Sequence, residues 1–340
     1  MTLALSILDQ STVASGRSPA EAIRETLALA QLADAWGYQR YWLAEHHNSA
    51  SHAGTAPEIL IAAIAATTRR IRVGSAGVML PHYAALKVAE QFKVLEAIAP
   101  GRVDLGVGRA PGSDGRTAYA LNPNAAEAGD RFPQQVQELL GWLGEGLPVT
   151  HPFAQVQAQP AIPTTPEVWI LGSSDFGAQL AAYFGLPYCF AHFITDGRGS
   201  EEAMALYRDG FRPQPGRLAT PNAALAVFAI TAPTEAEAWR LFRSRELWRL
   251  SRDRGIYPPL PTVEEAEAYP YSEAEQAKVE RMRARAIVGA PEQVVAKLAA
   301  AAAAHGAQEV AVLTPCHDQA ARQTSFRLLA EANAALPVAA

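Results

Sequence analysis

The feature that most constrains the fold of this chain is its repeated alternation of short strand-like segments with amphipathic helical segments. Helix signals are clear at the first helix, where Ser18 precedes Pro19 and Gly37 follows the last turn. Such alternation predicts a parallel sheet covered by helices, and eight units predict a closed (β/α)8 TIM barrel formed by one domain, residues 1–340. The eight predicted strands are Leu3–Asp9, Arg40–Glu45, Ile71–Leu80, Val103–Gly108, Glu167–Leu171, Pro187–Phe193, Ala223–Thr231 and Glu309–Leu313.

Two stretches interrupt this rhythm and are predicted to be insertions. Residues 144–166 are rich in proline and precede strand five, and residues 253–285 lie between strands seven and eight. We expect the second insertion to line or cover the C-terminal mouth of the barrel. The helices predicted after the first one are Pro57–Thr68, Ala84–Ile98, Glu127–Leu143, Asp175–Phe184, Thr234–Arg252, Pro291–His305 and His317–Ala335.

Charge and composition argue against several kinds of partner. The net charge is −5 and there is no basic cluster, so we expect no binding to nucleic acid or to anionic lipid. The longest apolar runs hold about 8–12 residues, whereas a membrane span needs roughly 20. The N-terminus has no basic leader, and Cys189 and Cys316 lack a CxxC partner. We therefore expect a cytoplasmic protein without a disulfide or a cysteine-based metal site.

The residues with the strongest chemical potential follow strand two, where Glu45, His46 and His47 are consecutive. Active sites of β/α barrels lie at the C-terminal ends of the strands, and imidazoles beside a carboxylate can transfer protons near neutral pH. A blander interpretation is that one histidine satisfies a buried backbone group while the other is solvated. A zinc site is not expected, because neighbouring residues rarely converge on one ion and no HExxH spacing occurs.

Two further strand ends carry residues suited to an anion. Arg109 follows strand four among small residues, and Gly172, Ser173 and Ser174 run from strand five directly into a helix. Either could be an ordinary loop, but together they predict a phosphate clamp. No dinucleotide or triphosphate motif is present, which favours a mononucleotide. The small residues 75–77 in strand three indicate either close approach of a ligand or a crowded barrel layer.

Taken together, these segments resemble the bacterial luciferase-like flavin monooxygenase family. The resemblance covers nearly the whole chain, is strongest before residue 115 and is weakest in the two insertions. It is carried by the segments Tyr41–Asn48, Ile71–Pro81, Val88–Phe92, Pro100–Gly112, Trp169–Ser174 and Val288–Glu292.

The resemblance implies FMN at the mouth of the barrel, reduced elsewhere by a separate flavin reductase. By match to the family's motifs, Arg109 with Ser173 and Ser174 would hold the phosphate, and Ala76-Gly77 would be a non-prolyl cis peptide supporting the flavin ring. Glu45 and His46 match residues near the ring, His46 matches the catalytic histidine, and His47 is a neighbour of unassigned role. The reactive cysteine of the luciferases is replaced by Gly108, so light emission is not implied and space opens above the flavin.

The leading functional hypothesis is therefore monooxygenation of a small organic substrate by reduced FMN and molecular oxygen, with His46 as acid/base and Glu45 orienting it. One alternative is a deazaflavin enzyme that transfers hydride, and a second is a flavin-binding protein without turnover. A homodimer is expected through the helix Pro57–Thr68, because Ile59, Ile61, Ala62, Ile64 and Ala65 make more than one of its faces apolar.

Overall fold

A ring of eight parallel strands forms the centre of the computed structural model, which describes residues 2–336. The strands are β1 Ala4–Asp9, β2 Arg40–Leu43, β3 Arg72–Met79, β4 Val103–Gly108, β5 Glu167–Gly172, β6 Tyr188–Phe190, β7 Ala223–Thr231, β8 Ile287–Gly289 and β9 Glu309–Leu313. Strands β1 to β7 pair with one another in sequence order. Strand β9 pairs with both β7 and β1 and so closes the ring. The predicted (β/α)8 TIM barrel is thus confirmed.

Strand β8 was not predicted and lies outside the ring. It pairs only with the far end of β7, where Ala229–Thr231 are in register with Ile287–Gly289. The second insertion therefore leaves the ring after β7 and returns beside the same strand.

Helices cover the outside of the barrel and also build the second insertion. They are α1 Pro19–Trp36, α2 Pro57–Thr67, α3 Ala85–Ile98, α4 Gly115–Leu121, α5 Ala125–Asp130, α6 Phe132–Leu140, α7 Asp175–Phe184, α8 His192–Thr195, α9 Ser200–Gly210, α10 Glu235–Asp253, α11 Val263–Ala268, α12 Glu273–Arg283, α13 Pro291–His305 and α14 Gln319–Ala334. Helices α11 and α12 each start with a capping box, Thr262 with Glu265 and Ser272 with Glu275.

The helix predicted over Glu127–Leu143 is divided in two. Pro133 lies in the first turn of α6, where its missing N–H is harmless, but it cannot continue α5 as an interior residue. A single π-helical turn, Gly141–Glu145, then ends this part of the chain. Helix α9 between β6 and β7 was not predicted.

Apolar side chains fill two layers, one inside the barrel and one between barrel and helices. The inner layer includes Trp42 and Trp169, both fully buried, with ring centroids 5.0 Å apart at 70°. Each such aromatic pair stabilises the fold beyond the area it buries. The outer layer is larger and continuous around the ring.

A buried charge network closes the N-terminal floor of the barrel. The Arg40 guanidinium lies 2.9 Å from Asp104, 2.7 Å from Glu167 and 3.0 Å from Glu309. These residues begin β2, β4, β5 and β9, so the network ties four strands together at the end opposite the site described below. Removing one partner from such a network is strongly destabilising, because it leaves buried charge uncompensated.

The helix expected at a dimer interface has only one outward apolar side chain of large size. Ile61 and Ile64 are fully buried in the outer core layer, whereas Ile59 is 66% exposed. On the neighbouring helix α3, Val94 and Ile98 are each 48% exposed and line the same groove as Ile59. The outward patch therefore spans α2 and α3, instead of several faces of α2.

No helix among residues 2–336 is long and apolar enough to cross a membrane. Cys189 and Cys316 are both buried and free.

Candidate functional site

The residues expected at the site lie at the C-terminal ends of β2, β3, β4 and β5, around one mouth of the barrel. Glu45 is 1% exposed and accepts three hydrogen bonds. His47 Nε2 donates to it at 2.7 Å, the Tyr83 hydroxyl at 2.6 Å and the Met79 amide at 3.0 Å. Burial and the bond to Glu45 raise the pKa of Tyr83 well above its usual range.

This arrangement differs from the expected pairing of Glu45 with His46. The carboxylate is held by His47 instead, because residues two apart in an extended segment point to the same side. Glu45 therefore positions His47 and the turn after β3, and His46 faces a different environment.

His46 is a neutral ring with an unused nitrogen. Its backbone amide donates to the Gly54 carbonyl at 2.9 Å, and its ring stacks on His52 with centroids 4.3 Å apart at 16°. Its Nδ1 is shielded from solvent and has no hydrogen-bond partner among the described residues. Burial, with a smaller contribution from the positive charge of Arg252, lowers the pKa of His46 to about 4. Because Nδ1 is shielded, Nε2 is the nitrogen through which the neutral ring can exchange a proton with a group bound in the mouth.

The wall beside β3 and β4 is made of backbone with almost no side chain. The Ala76-Gly77 peptide is cis, as the resemblance implies, and the β3–β4 register shifts at this point. A Cβ on Gly77 would lie 2.6 Å from the Gly106 carbonyl oxygen, and a Cβ on Gly106 would lie 2.2 Å from the Ser75 carbonyl oxygen. Only glycine fits at these two positions, because β3 and β4 approach closely there and the Leu171 Cδ1 would also lie 2.5 Å and 2.6 Å from the added atoms.

Unpartnered anion-binding groups lie at the ends of β4 and β5. Arg109 is exposed, and its guanidinium stacks 4.0 Å above the Phe176 ring in the first turn of α7. Ser174 occupies the N-cap position of α7 without capping it, and no protein partner is recorded for the hydroxyl of Ser173 or Ser174 among residues 2–336. The amides of this helix start and the arginine therefore remain available to a phosphate.

Two glycines expected at the site behave differently from those in the wall. A Cβ on Gly172 would make only ordinary contacts, the closest at 3.7 Å, so the position does not require glycine. At Gly108 an added Cβ would lie 3.4 Å from the Met79 methyl, an ordinary contact, so the Met79 side chain borders the space expected there.

His52 and Tyr83 were not predicted as site residues. His52 lies in the loop that carries His46, so a third histidine within six residues was an available signal. Tyr83 had no comparable signal, since only the packing of the turn after β3 brings it to Glu45. No group of three or more metal-binding side chains occurs in the described part of the chain.

Known proteins are similar to this chain over nearly its whole length. A family model described as luciferase-like monooxygenase matches residues 1–309. The N-acetyl-S-alkylcysteine monooxygenase of Bacillus subtilis (strain 168) is 37% identical over 330 residues, covering 96% of this chain and 97% of the relative. The solved structure of apo-MsnO8 superimposes with a TM-score of 0.88 at 38% identity, over 99% of each chain.

More distant solved structures share the fold with different cofactors. The oxygenating constituent of a diketocamphane monooxygenase in complex with FMN has a TM-score of 0.70 at 20% identity, over 97% of both chains. An F420-dependent secondary alcohol dehydrogenase has a TM-score of 0.68 at 15% identity, over 98% of this chain and 99% of that one.

Proposed function

Because the chain belongs to the luciferase-like monooxygenase family, we propose that it is a flavin-dependent monooxygenase acting on a small organic substrate. Its flavin is FMN, reduced by a separate reductase and used with molecular oxygen. The observation that carries this proposal is the set of unpartnered groups around one mouth: Arg109 with the Ser173 and Ser174 hydroxyls at the ends of β4 and β5, and His46 after β2.

The residues present fit a flavin mononucleotide. Arg109 and the free amides and hydroxyls at the start of α7 would bind its phosphate, and the Ala76-Gly77 backbone would support its ring, as the family resemblance implies. Bound reduced flavin supplies the activation of oxygen.

The surrounding side chains hold protons and position one another. His46 presents its neutral ring and holds or accepts a proton from a group bound in the mouth. Glu45 is a positioning residue, since its carboxylate fixes His47, Tyr83 and the backbone of Met79. Gly108, in place of a larger side chain, would leave room for a substrate beside Met79.

The decisive experiment measures oxygen transfer. The protein is supplied with FMN, a flavin reductase and N-acetyl-S-alkylcysteines, chosen because of the relative that acts on them. We expect oxygen consumption above the free-flavin background and one labelled atom from isotopic oxygen in the product, and His46→Phe should abolish the transfer. A wider screen of organic substrates that yields no labelled product would refute the monooxygenase assignment.

Cofactor titration separates the alternatives. We expect FMN to bind more tightly than deazaflavin F420, and Arg109→Gln should weaken FMN binding. Tighter binding of F420 would instead favour a hydride-transfer enzyme. Tight FMN binding without turnover in any reductase-coupled assay would favour a flavin-binding protein.

The same proposal includes a homodimer in the cytoplasm. The outward patch of Ile59, Val94 and Ile98 on α2 and α3 supports the dimer, because large exposed apolar side chains gathered in one groove mark contact surfaces. A monomeric mass at micromolar concentration would contradict it.

A further inference from the structure

One face of α10 places three arginines along the mouth of the barrel. Arg245, Arg249 and Arg252 follow helical spacing and line one cavity of 230 Å³. Gln10, which follows β1, and Phe228, on the inner side of β7, line the same cavity and locate it at the C-terminal mouth.

The positive charge of this face is only partly neutralised. Arg249 is paired with Asp196 at 3.2 Å and Asp253 at 3.0 Å. For Arg252 no carboxylate lies within ion-pairing distance among residues 2–336, and its guanidinium stacks on Trp248 at 4.8 Å and Tyr257 at 5.5 Å. Arg252 therefore has donors available for a ligand.

Arg245 is the most unusual of the three, because it is 4% exposed and its Nε has no hydrogen-bond partner among the described residues. Its other contacts are Met282 Sδ at 3.0 Å, Asp196 at 3.7 Å and the Phe228 ring at 4.1 Å. Burial lowers the pKa of Arg245 to about 10, which leaves it charged at neutral pH. Since Nε is shielded from solvent, a ligand in the cavity would bind the terminal nitrogens of this guanidinium, whose nearest carboxylate, Asp196, lies 3.7 Å away.

The residues around Arg245 add further positive charge and further aromatic surface. Arg245 and Phe228 also line a second cavity of 440 Å³, in which six lining residues are Lys or Arg and two are Asp. This excess of positive charge occurs in a chain whose net charge is −5. Phe193 and Phe228 provide aromatic surface in both cavities.

The smaller cavity is separated from His46 by two rings. Trp248 lines the cavity and lies 5.8 Å, centroid to centroid, from His52, which stacks on His46. A molecule bound by the arginines would therefore lie on the side of the mouth that carries the acid/base residue.

We propose that the α10 arginines select substrates that carry a carboxylate, with Arg252 and Arg245 binding the anionic group and Phe193 and Phe228 contacting an apolar body. This specificity rests on the proposed monooxygenase function and deepens it. It is separate from the phosphate clamp, since Arg109, Ser173 and Ser174 follow β4 and β5 whereas α10 follows β7.

The test compares two probes of nearly equal size at neutral pH, the anion phenylacetate and the uncharged phenylacetamide. Each is titrated calorimetrically into the full chain loaded with oxidised FMN. We expect phenylacetate to bind at least about tenfold more tightly, because only the acid completes the guanidinium hydrogen bonds. Arg252→Gln should weaken phenylacetate binding at least about tenfold and should leave phenylacetamide binding unchanged. Arg243→Gln is the matched control, as Arg243 lies on the same helix but pairs with Glu267.

Several outcomes would overturn the inference. Equal binding of the two probes, or no binding of either at millimolar concentration, would show that the arginines do not select a carboxylate. Weaker FMN binding in Arg252→Gln would assign the arginines to the flavin site instead. Arg245→Gln gives a second test after its fold is checked by circular dichroism. Since binding needs no turnover, selective phenylacetate binding without oxygen transfer would refute only the monooxygenase function.

Discussion

Replacing His46 with phenylalanine should make the protein less sensitive to acid, because burial keeps this imidazole neutral in the folded state. The folded pKa of His46 is about 4, whereas that of an unfolded histidine is about 6.5. The unfolded chain therefore binds more protons in this range. The contribution of neutral His46 to the free energy of unfolding is therefore complete above about pH 6.5, and it decreases as the pH falls towards about 4.

The size of the effect follows from the two pKa values. Between about pH 8 and about pH 5, protonation of His46 in the unfolded chain alone lowers the free energy of unfolding by about 2 kcal/mol. His46→Phe removes this contribution. At the higher pH we expect the variant to be within about 1.5 kcal/mol of the parent protein, because the new ring can also stack on His52 and Nδ1 had no partner.

Urea unfolding followed by far-UV circular dichroism at both pH values measures the difference. His52→Phe should shift the result in the same direction, since burial holds the pKa of His52 well below its usual value. Arg243→Gln, on the exposed side of α10, should show the pH dependence of the parent. If His46→Phe loses as much stability on acidification as the parent protein, the ring is not held neutral by its surroundings and the reasoning is wrong.

Three further changes test other parts of the molecule. Arg40→Met should lower the free energy of unfolding by about 3–5 kcal/mol, because Glu309 is left buried without its partner, and should leave FMN affinity unchanged in a fluorescence titration. Gly77→Ala should destabilise the fold by about 1–3 kcal/mol and weaken FMN binding, since the added methyl would lie 2.6 Å from the Gly106 carbonyl oxygen; normal values for both would contradict the wall described above. Ile59→Asp should convert a dimer to a monomer in light scattering, and an unchanged mass would exclude α2 from the interface.

Strand periodicity was sufficient to predict the ring and insufficient for the parts attached to it. The bounds of β4, β7 and β9 coincide with the predicted ones, because long apolar runs between turn residues have few competing interpretations. Strand β8 has three residues, too few to show a period, and it exists only through its pairing with β7. Helix α9 likewise lies in a stretch whose apolar spacing was not distinctive.

The candidate site was predictable in its location more than in its contacts. The rule that barrel chemistry gathers at C-terminal strand ends selected Glu45, His46 and Arg109. It did not reveal which histidine Glu45 holds, because that depends on the direction of side chains beyond the end of β2. The spacing of Arg245 and Arg252 on α10 was visible in the sequence, but the burial that leaves one of them short of a partner appears only when α10 packs over the barrel.

The attachment of β8 has a consequence for how such enzymes can diversify. Residues 253–285 lie between α10, which follows β7, and β8, which pairs with the same β7. The eight-strand hydrogen-bonded circle is therefore complete without them. The segment is attached to the mouth by the Leu260 amide, which donates to the Val13 carbonyl, and by the Pro258 carbonyl, which accepts from the Ser51 hydroxyl, so an exchange has to keep these contacts. A chimera carrying the corresponding stretch of a relative should keep the ring and the α10 arginines, and should change the part of the 440 Å³ cavity that Lys278, Arg281 and Met282 line.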